Sequence, residues 1–296
     1  MRLRLAHRTV DLDGPPLAMA IVNVTPDSFY DGGVTASPEE AVARALEMLA
    51  AGAAIVDLGG MTAQPGDELA ETEEAARVVP TVAGIRAAAP AAVLSVDTYR
   101  AAVAAAALDA GADLVNDHTG GADPALAAAV AERDAGLVVT HLGLQPKQAQ
   151  DGRYELTVDA IAESLLERAA AAEAAGVRRD AILLDPGLGF GKSTATDLAC
   201  LRALDRLAGL GYPLLLACSH KEVTAEPLGL PESNLEGTAA VVAVAAAAGV
   251  RVLRVHDLPF MERVARMAWL ASPRAEGYAA GGVRSGENSG TNLPPE

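Results

Sequence analysis

The sequence predicts a TIM barrel, eight parallel strands each followed by a helix, with an open doubly wound parallel sheet as the alternative. Three observations point there. Apolar runs of strand length alternate with Ala-rich helical stretches along most of the chain. Several helical stretches end in Ala-Gly or Leu-Gly just before the next strand, the expected C-terminal stop. The length of 296 residues suits an eightfold repeat, although length alone would equally allow two ordinary domains.

The elements follow in order. RLRLAHRTVDLDGPPL alternates apolar and polar residues and carries an Asp-Gly turn, so residues 1–17 read as a short hairpin packed on the barrel. Strands are expected at 18–25 (AMAIVNVT), 54–60 (AIVDLGG), 93–98 (VLSVDT), 113–117 (DLVND), 137–142 (LVVTHL), 182–187 (ILLDPG), 213–219 (PLLLACS) and 252–257 (VLRVHD). Such nearly continuous apolar runs are what strands buried on both faces require. Helices fill the gaps, among them 37–53 and 157–176. The barrel is expected over 18–272. From 273 the chain turns to Gly, Ser, Asn, Pro and Arg without periodicity, so 273–296 reads as a flexible tail.

Composition narrows the function. A hydrophobic content of 51%, mostly Ala, Val and Leu, with 3% aromatic residues, supplies a large core. No run of 18 apolar residues exists, so no membrane helix is expected. The N-terminal apolar residues alternate with polar ones and give no signal peptide, so the expected location is cytoplasmic. Cys200 and Cys218 lack metal-type spacing and read as small buried hydrophobes. A formal net charge of −16 argues against a nucleic-acid partner. It also means that an anionic ligand must be held by a few local cations.

A TIM barrel does its chemistry at the C-terminal ends of its strands. Nearly every expected strand here ends in a residue able to recognise a ligand: Asn23, Asp57, Asp97, Asn116 with Asp117, His141, Asp185, Ser219 with Lys221, and Arg254 with His256. Any one Asp could simply cap the next helix, but strand ends around one mouth converge. Asp97, Asn116 and Asp185 suit the hydrogen bonds of a flat, nitrogen-rich ring, and Lys221 a ring carbonyl. Arg254 and His256, two apart on one strand, suit an oxyanion or phosphate. Asn23 is a hard oxygen ligand able to share Mg²⁺ with a phosphorylated substrate. GLGFGK (187–192) lacks both Rossmann and P-loop spacing and is not read as a nucleotide loop.

These residues carry a family resemblance. NVTPDSFYDGG (23–33), GG…QPG (59–66), SVDT (95–98), ND (116–117), DPGLGFGK (185–192), SHK (219–221) and RVHD (254–257) resemble dihydropteroate synthase, in that family's order, over roughly 16–270. The resemblance implies an enzyme joining 6-hydroxymethyl-dihydropterin diphosphate to p-aminobenzoate with Mg²⁺, releasing pyrophosphate in folate biosynthesis. It implies that Asp97, Asn116, Asp185 and Lys221 hold the pterin, while Asn23, Arg254 and His256 hold the diphosphate and its metal. Loop 23–33, with Asp27, Phe29 and Asp31, would fold over the site. It would help position the amine with Thr62, Gln64, Pro65, Ser219 and His220 lining that pocket. The family is often dimeric, and the small-sided stretch 233–250 suits either a dimer seam or packing on the chain's own barrel.

The sequence also departs from the family. DLGGMTAQPGDE (57–68) carries Gln64 where the typical GGESTRPG stretch has the Arg that meets the diphosphate. His220 stands where an Arg is usual, Thr140 replaces the Met of a Met-His pair, and Ala195-Thr196-Asp197 replaces a His-Asn. The pterin set is thus intact and the acceptor set altered, as in a divergent second paralogue of the actinobacterial type. Three readings follow: an active synthase with an altered loop, a catalytically impaired pterin-binding paralogue, or a related transferase using another acceptor or pterin donor.

Overall fold

A computed structural model of the chain describes residues 1–24, 37–61, 69–142, 154–232, 234–276 and 278. The N-terminal strands β1 (Arg2–Leu5) and β2 (Arg8–Asp11) form an antiparallel pair. Eight further strands follow: β3 (Leu17–Asn23), β4 (Ile55–Gly59), β5 (Leu94–Asp97), β6 (Leu114–Asp117), β7 (Gly136–Thr140), β8 (Ile182–Asp185), β9 (Leu215–Ala217) and β10 (Val252–Val255). Between and after them run α1 (Pro38–Ala50), α2 (Glu71–Ala88), α3 (Ala101–Asp109), α4 (Leu126–Glu132), α5 (Val158–Ala174), α6 (Thr194–Arg202), α7 (Leu204–Ala208), α8 (Glu222–Ala225), α9 (Leu235–Ala248) and α10 (Leu258–Leu270).

Each expected barrel strand is present. They pair in parallel in the order β8-β7-β6-β5-β4-β3-β10-β9, and a parallel bridge between Leu184 and Leu214 joins the two ends into a closed ring. That closure decides for the TIM barrel over an open sheet. Helix boundaries follow local chemistry. Ser37 and Glu40 form a reciprocal capping box at α1, with Pro38 in the first turn, and Thr157, Ser193 and Asn234 cap α5, α6 and α9. At the far end of α9, Gly249 takes φ +99°, a conformation that a side chain would strain.

The barrel interior explains where the site sits. Strand side chains alternate with period two. Leu17, Met19, Ile55, Leu114, Val138, Leu183, Leu215 and Val252 point inward as one buried cluster, into which the N-terminal segment inserts Leu3, Leu5 and Leu12. The hairpin therefore plugs the floor, and burying each such Leu contributes about 1.5–3 kcal/mol. Its turn is at Ala6–His7, with Leu5 paired to Arg8, and the expected Asp13-Gly14 turn lies after β2 instead. The reason is tertiary: the strand after Gly14 is β3, which pairs in parallel with β4 and β10. Arg8 and Arg86 ion-pair with buried Asp113 at 2.8 and 2.7 Å, fastening hairpin and α2 to the same end. A second, larger core fills the space between strands and helices.

Within the stretch expected as tail, Pro273–Ala275 form a 3-10 turn. Arg274 donates to the Ala247 and Ala248 carbonyls at the end of α9 (3.0 and 2.7 Å), and Tyr278 packs edge-on against Trp269. The expectation for 279–296 falls outside the described residues.

Candidate active site

With a floor of apolar side chains, the next inward position on each strand lies one layer higher, at the mouth. Two residues beyond Leu114 is Asn116, beyond Leu183 is Asp185, beyond Val252 is Arg254, and beyond Ser95 is Asp97. The registers place them side by side: Asp97 opposite Asn116 and Gly59, and Asn23 opposite Gly59. A methyl group on Gly59 would stand 3.2 Å from Asn23 Oδ1 and 3.9 Å from Asp97 Cβ, so glycine keeps that approach open.

A chain of charged contacts crosses the mouth. Arg254 Nε donates to Asp57 Oδ2 (2.6 Å) and its Nη2 to Asp97 Oδ2 (2.8 Å). Asn116 Nδ2 donates to Asp57 Oδ2 (2.9 Å), and His118 Nδ1 to Asp97 Oδ1 (2.7 Å). Burial pushes the Asp57 carboxyl up, against the pull of Arg254. Burial also opposes the charge on Asp97, but His118 and Arg254 outweigh it and hold Asp97 below the usual carboxylate range. Reciprocally, Asp97 raises His118 above an ordinary histidine, against the burial that opposes its charge. The bond to Asp57 sets the Asn116 amide with its nitrogen on the carboxylate, which leaves Oδ1 as its acceptor end.

The opposite side is built on the loop after β8. Asp185 Oδ1 accepts from the Gly187 amide (2.7 Å). Burial raises the Asp185 carboxyl, with Lys221 acting against it. Lys221 donates to the Leu188 carbonyl and lies 4.7 Å above the Phe190 ring. Burial also lowers the Lys221 ammonium, opposed by Asp185 and Asp197. Beneath them Lys192 is buried and donates to the carbonyls of Gly187 (2.6 Å) and His141 (3.0 Å). Burial brings it down to about 8. Lys192 thus braces the glycine loop that carries Phe190.

The third group comes from the loops after β9 and β10. Ser219 Oγ accepts from the His256 backbone N–H (3.2 Å) and pairs with His256 Nδ1 (3.1 Å). Burial, followed by Arg254, His220 and Lys221, drives the His256 imidazole down to about 3, so it is neutral and accepts the Ser219 proton. His220 has φ +54°, and its Nε2 donates to Asp257 Oδ2 at 2.6 Å. Its ring lies 5.5 Å from that of His256.

Nine expected site residues can be placed. Asn23, Asp97, Asn116, Asp185, Ser219, His220, Lys221, Arg254 and His256 all lie on strand ends or following loops at the same mouth. Asp27, Phe29, Asp31, Thr62, Gln64 and Pro65 lie outside the described residues. Two strand-end candidates point away. Asp117 folds onto its own loop, accepting from Thr119 N (2.9 Å) and Gly121 N, the capping behaviour available to any strand-end Asp. His141 is buried and held near 3 by burial, Lys192 and Arg168. Two contributors escaped the sequence reading, His118 and Lys192. His118 was legible in principle, since it lies two residues beyond Asn116 and strand periodicity aims it the same way. Among the described residues no cluster of three His, Cys, Asp or Glu could hold a metal.

The chain is similar to known proteins over most of its length. The family model described as "Pterin binding enzyme" matches residues 19–256. A Mycobacterium leprae protein named "Inactive dihydropteroate synthase 2" is 44% identical over 274 residues, covering 90% of this chain and 94% of its own. The Bacillus subtilis dihydropteroate synthase is 40% identical over 256 residues, 85% of this chain and 87% of its own. The solved structure of Xanthomonas albilineans dihydropteroate synthase with 4-aminobenzoic acid superposes with TM-score 0.82 at 39% identity, covering 91% of this chain and 97% of that one.

Proposed function

We propose, for a chain that belongs to the pterin-binding enzyme family, that the barrel mouth holds a pterin diphosphate and presents its methylene carbon to an aromatic amine, as a dihydropteroate synthase does. The carrying observation is the polarity of the described mouth. Asp185 and Asn116 Oδ1 offer acceptors, and Lys221 offers a donor. A pterin edge presents the complement, an amino group and ring N–H beside a ring carbonyl. The roles assigned to Asp97, Asn116, Asp185 and Lys221 on the pterin, and to Asn23, Arg254 and His256 on the diphosphate, rest on this arrangement and on the family.

In the reaction the C–O bond between the methylene and the diphosphate breaks and pyrophosphate carries off the electron pair. The amine nitrogen bonds to the methylene carbon and then loses a proton. The chain's part is to orient the pterin, stabilise charge growing on the leaving group, and exclude water from the electrophilic carbon. Among the described residues Arg254 spends Nε and Nη2 on carboxylates, so Nη1 is the nitrogen that would meet the diphosphate. Asn23 is a single hard-oxygen donor at the mouth. That donor set fits Mg²⁺ brought by diphosphate and water better than a metal caged by protein. When bound, the ion would neutralise the leaving charge. Ser219 and His220, with Thr62, Gln64, Pro65 and Phe29, would form the amine pocket, and Asp27 and Asp31 would belong to the covering loop.

A specific observation favours a second reading, pterin binding with condensation lost. Gln64 replaces a cation facing the leaving group, and the M. leprae relative's name calls it inactive. Losing one such charged contact costs on the order of 3 kcal/mol, roughly a hundredfold in rate. No helix among the described residues is long and apolar enough to cross a membrane. Exposed Leu235 and Val244 on α9 with Phe260, Met267 and Leu270 on α10 support a homodimer through these helices.

The test follows pyrophosphate release with pterin diphosphate, Mg²⁺ and p-aminobenzoate, alongside calorimetric pterin binding with an Asp185→Asn control. Turnover within about a hundredfold of an ordinary synthase supports the enzyme. Pterin binding that Asp185→Asn abolishes, without turnover, supports the second reading. Pterin binding unaffected by Asp185→Asn would overturn both.

A further inference from the structure

We propose that His118 determines ligand specificity and affinity at the mouth by acting as an internal competitor. Its flat imidazole occupies the Asp97 edge of the pocket, and a heterocycle that needs Asp97 must first displace it. This rests on the pterin reading of the site.

The geometry carries the proposal. Both Asp97 oxygens are engaged from within the chain, Oδ1 by His118 Nδ1 at 2.7 Å and Oδ2 by Arg254 Nη2 at 2.8 Å. Asp97 therefore has its strongest directions occupied before any ligand arrives. The His118 ring is also seated as a planar ligand would be. It stacks on Phe190 with centroids 5.9 Å apart and planes 14° from parallel, and Tyr99 meets it edge-on at 5.8 Å. An N–H aimed at a carboxylate, on a ring lying along an aromatic face, is the same pair of contacts that the mouth would offer a nitrogen heterocycle.

The contrast with Asp185 sharpens the point. Among the described residues Asp185 commits only Oδ1, to a backbone amide of its own loop, and Asn116 only its Nδ2. The acceptors ready for a ring donor are those two, while Asp97 is closed. Burial opposes a charge on His118, as does Arg254 from β10, but Asp97 from β5, which bonds it, and the charge of Asp117 next to it in the chain outweigh them and favour a charged imidazole. Displacement then breaks a charge-assisted bond rather than a neutral one, so the barrier to using Asp97 is substantial. A ligand that reads only Asp185, Asn116 and Lys221 avoids the barrier altogether.

Substituting His118→Val removes the ring without adding a polar group. Calorimetric titration of the full chain with 6-hydroxymethylpterin would compare wild type, His118→Val, Asp185→Asn and the double variant. The expected result is binding at least tenfold tighter in His118→Val, abolished again when Asp185→Asn is added. In the wild type, the imidazole C2–H resonance of His118 should shift on pterin addition as its Asp97 bond breaks. Equal or weaker binding by a folded His118→Val protein, confirmed by its melting temperature and circular dichroism, overturns the proposal and makes His118 a support of the site. Absence of binding by both wild type and His118→Val also overturns it, because clearing the edge should reveal affinity. Binding that survives Asp185→Asn in both backgrounds overturns the pterin reading itself, and the proposal falls with it.

Discussion

Replacing Arg254 with Leu should cost stability in a way that depends on pH. Arg254 ion-pairs with Asp57 at 2.6 Å and Asp97 at 2.8 Å, and Asp57 is fully buried. Removing the guanidinium leaves a buried carboxylate without its counter-charge, a loss of about 3–5 kcal/mol in buried pairs generally. The chain can limit that loss by protonating Asp57. From an unfolded pKa of about 3.9, protonation at pH 7 costs about 4 kcal/mol, and at pH 5 only about 1.5 kcal/mol. The variant should therefore be destabilised by about 4 kcal/mol at pH 7 and by some 2–3 kcal/mol less at pH 5. The sign follows from linkage. Burial already raises folded Asp57 above its unfolded value against the pull of Arg254; removing that pull raises it further, so the variant's folded state holds the extra proton to higher pH and its stability falls more steeply than the wild type's as pH rises. Urea unfolding of both proteins at the two pH values measures this directly. A loss that is the same at both pH values would refute the electrostatic account and leave only lost packing.

Four further outcomes are expected. Lys192→Met should leave the His141 carbonyl without its ammonium donor and the Gly187 carbonyl with the Phe190 amide alone, lowering stability by about 1–3 kcal/mol by urea unfolding and weakening pterin binding through Phe190; unchanged stability would show that the ammonium braces nothing. Gly237→Ala would drive a methyl into the Thr224 carbonyl and should cost about 1–3 kcal/mol, measured as a drop in melting temperature. Cys200 and Cys218, buried and pushed up to about 11 and about 12, should resist a thiol reagent at neutral pH in the native protein and react once it is unfolded. Reaction at native rates comparable to free cysteine would contradict their burial. Leu235→Glu with Val244→Glu should turn a dimer into a monomer by sedimentation; a chain already monomeric at micromolar concentration would overturn the dimer proposal.

Much of the fold was legible because the determining patterns are local. Each of the eight barrel strands was readable as an apolar run, and helix ends were marked by Ser37 with Glu40, Thr157, Asn234 and Gly249. The hairpin turn was misplaced because an Asp-Gly pair is a stronger local turn signal than Ala6-His7. What overrode it was long-range pairing of β3 in the barrel, which no local signal carries. The candidate site divides the same way. Asp97, Asn116, Asp185, Lys221, Arg254 and His256 stand out because strand ends of a barrel converge. Lys192 did not, since its partners are backbone carbonyls brought together by the folded loop. Asp117 and His141 looked equivalent to their neighbours, but strand alternation turned them away from the mouth.

The sequence by itself carried the eightfold repeat, the family resemblance and the departure at Gln64, and it pointed to the barrel mouth as the expected place for chemistry. These depend on residue order and period, which one chain states openly. Only the tertiary structure decided which of the collected polar groups are still available to a ligand. Asp97 is held by His118 and Arg254, Asn116 is turned by Asp57, and Asp185 keeps one oxygen. The commitments of Asp97 and Asn116 join residues 21 to 157 positions apart in the chain, and they exist only once the barrel has closed.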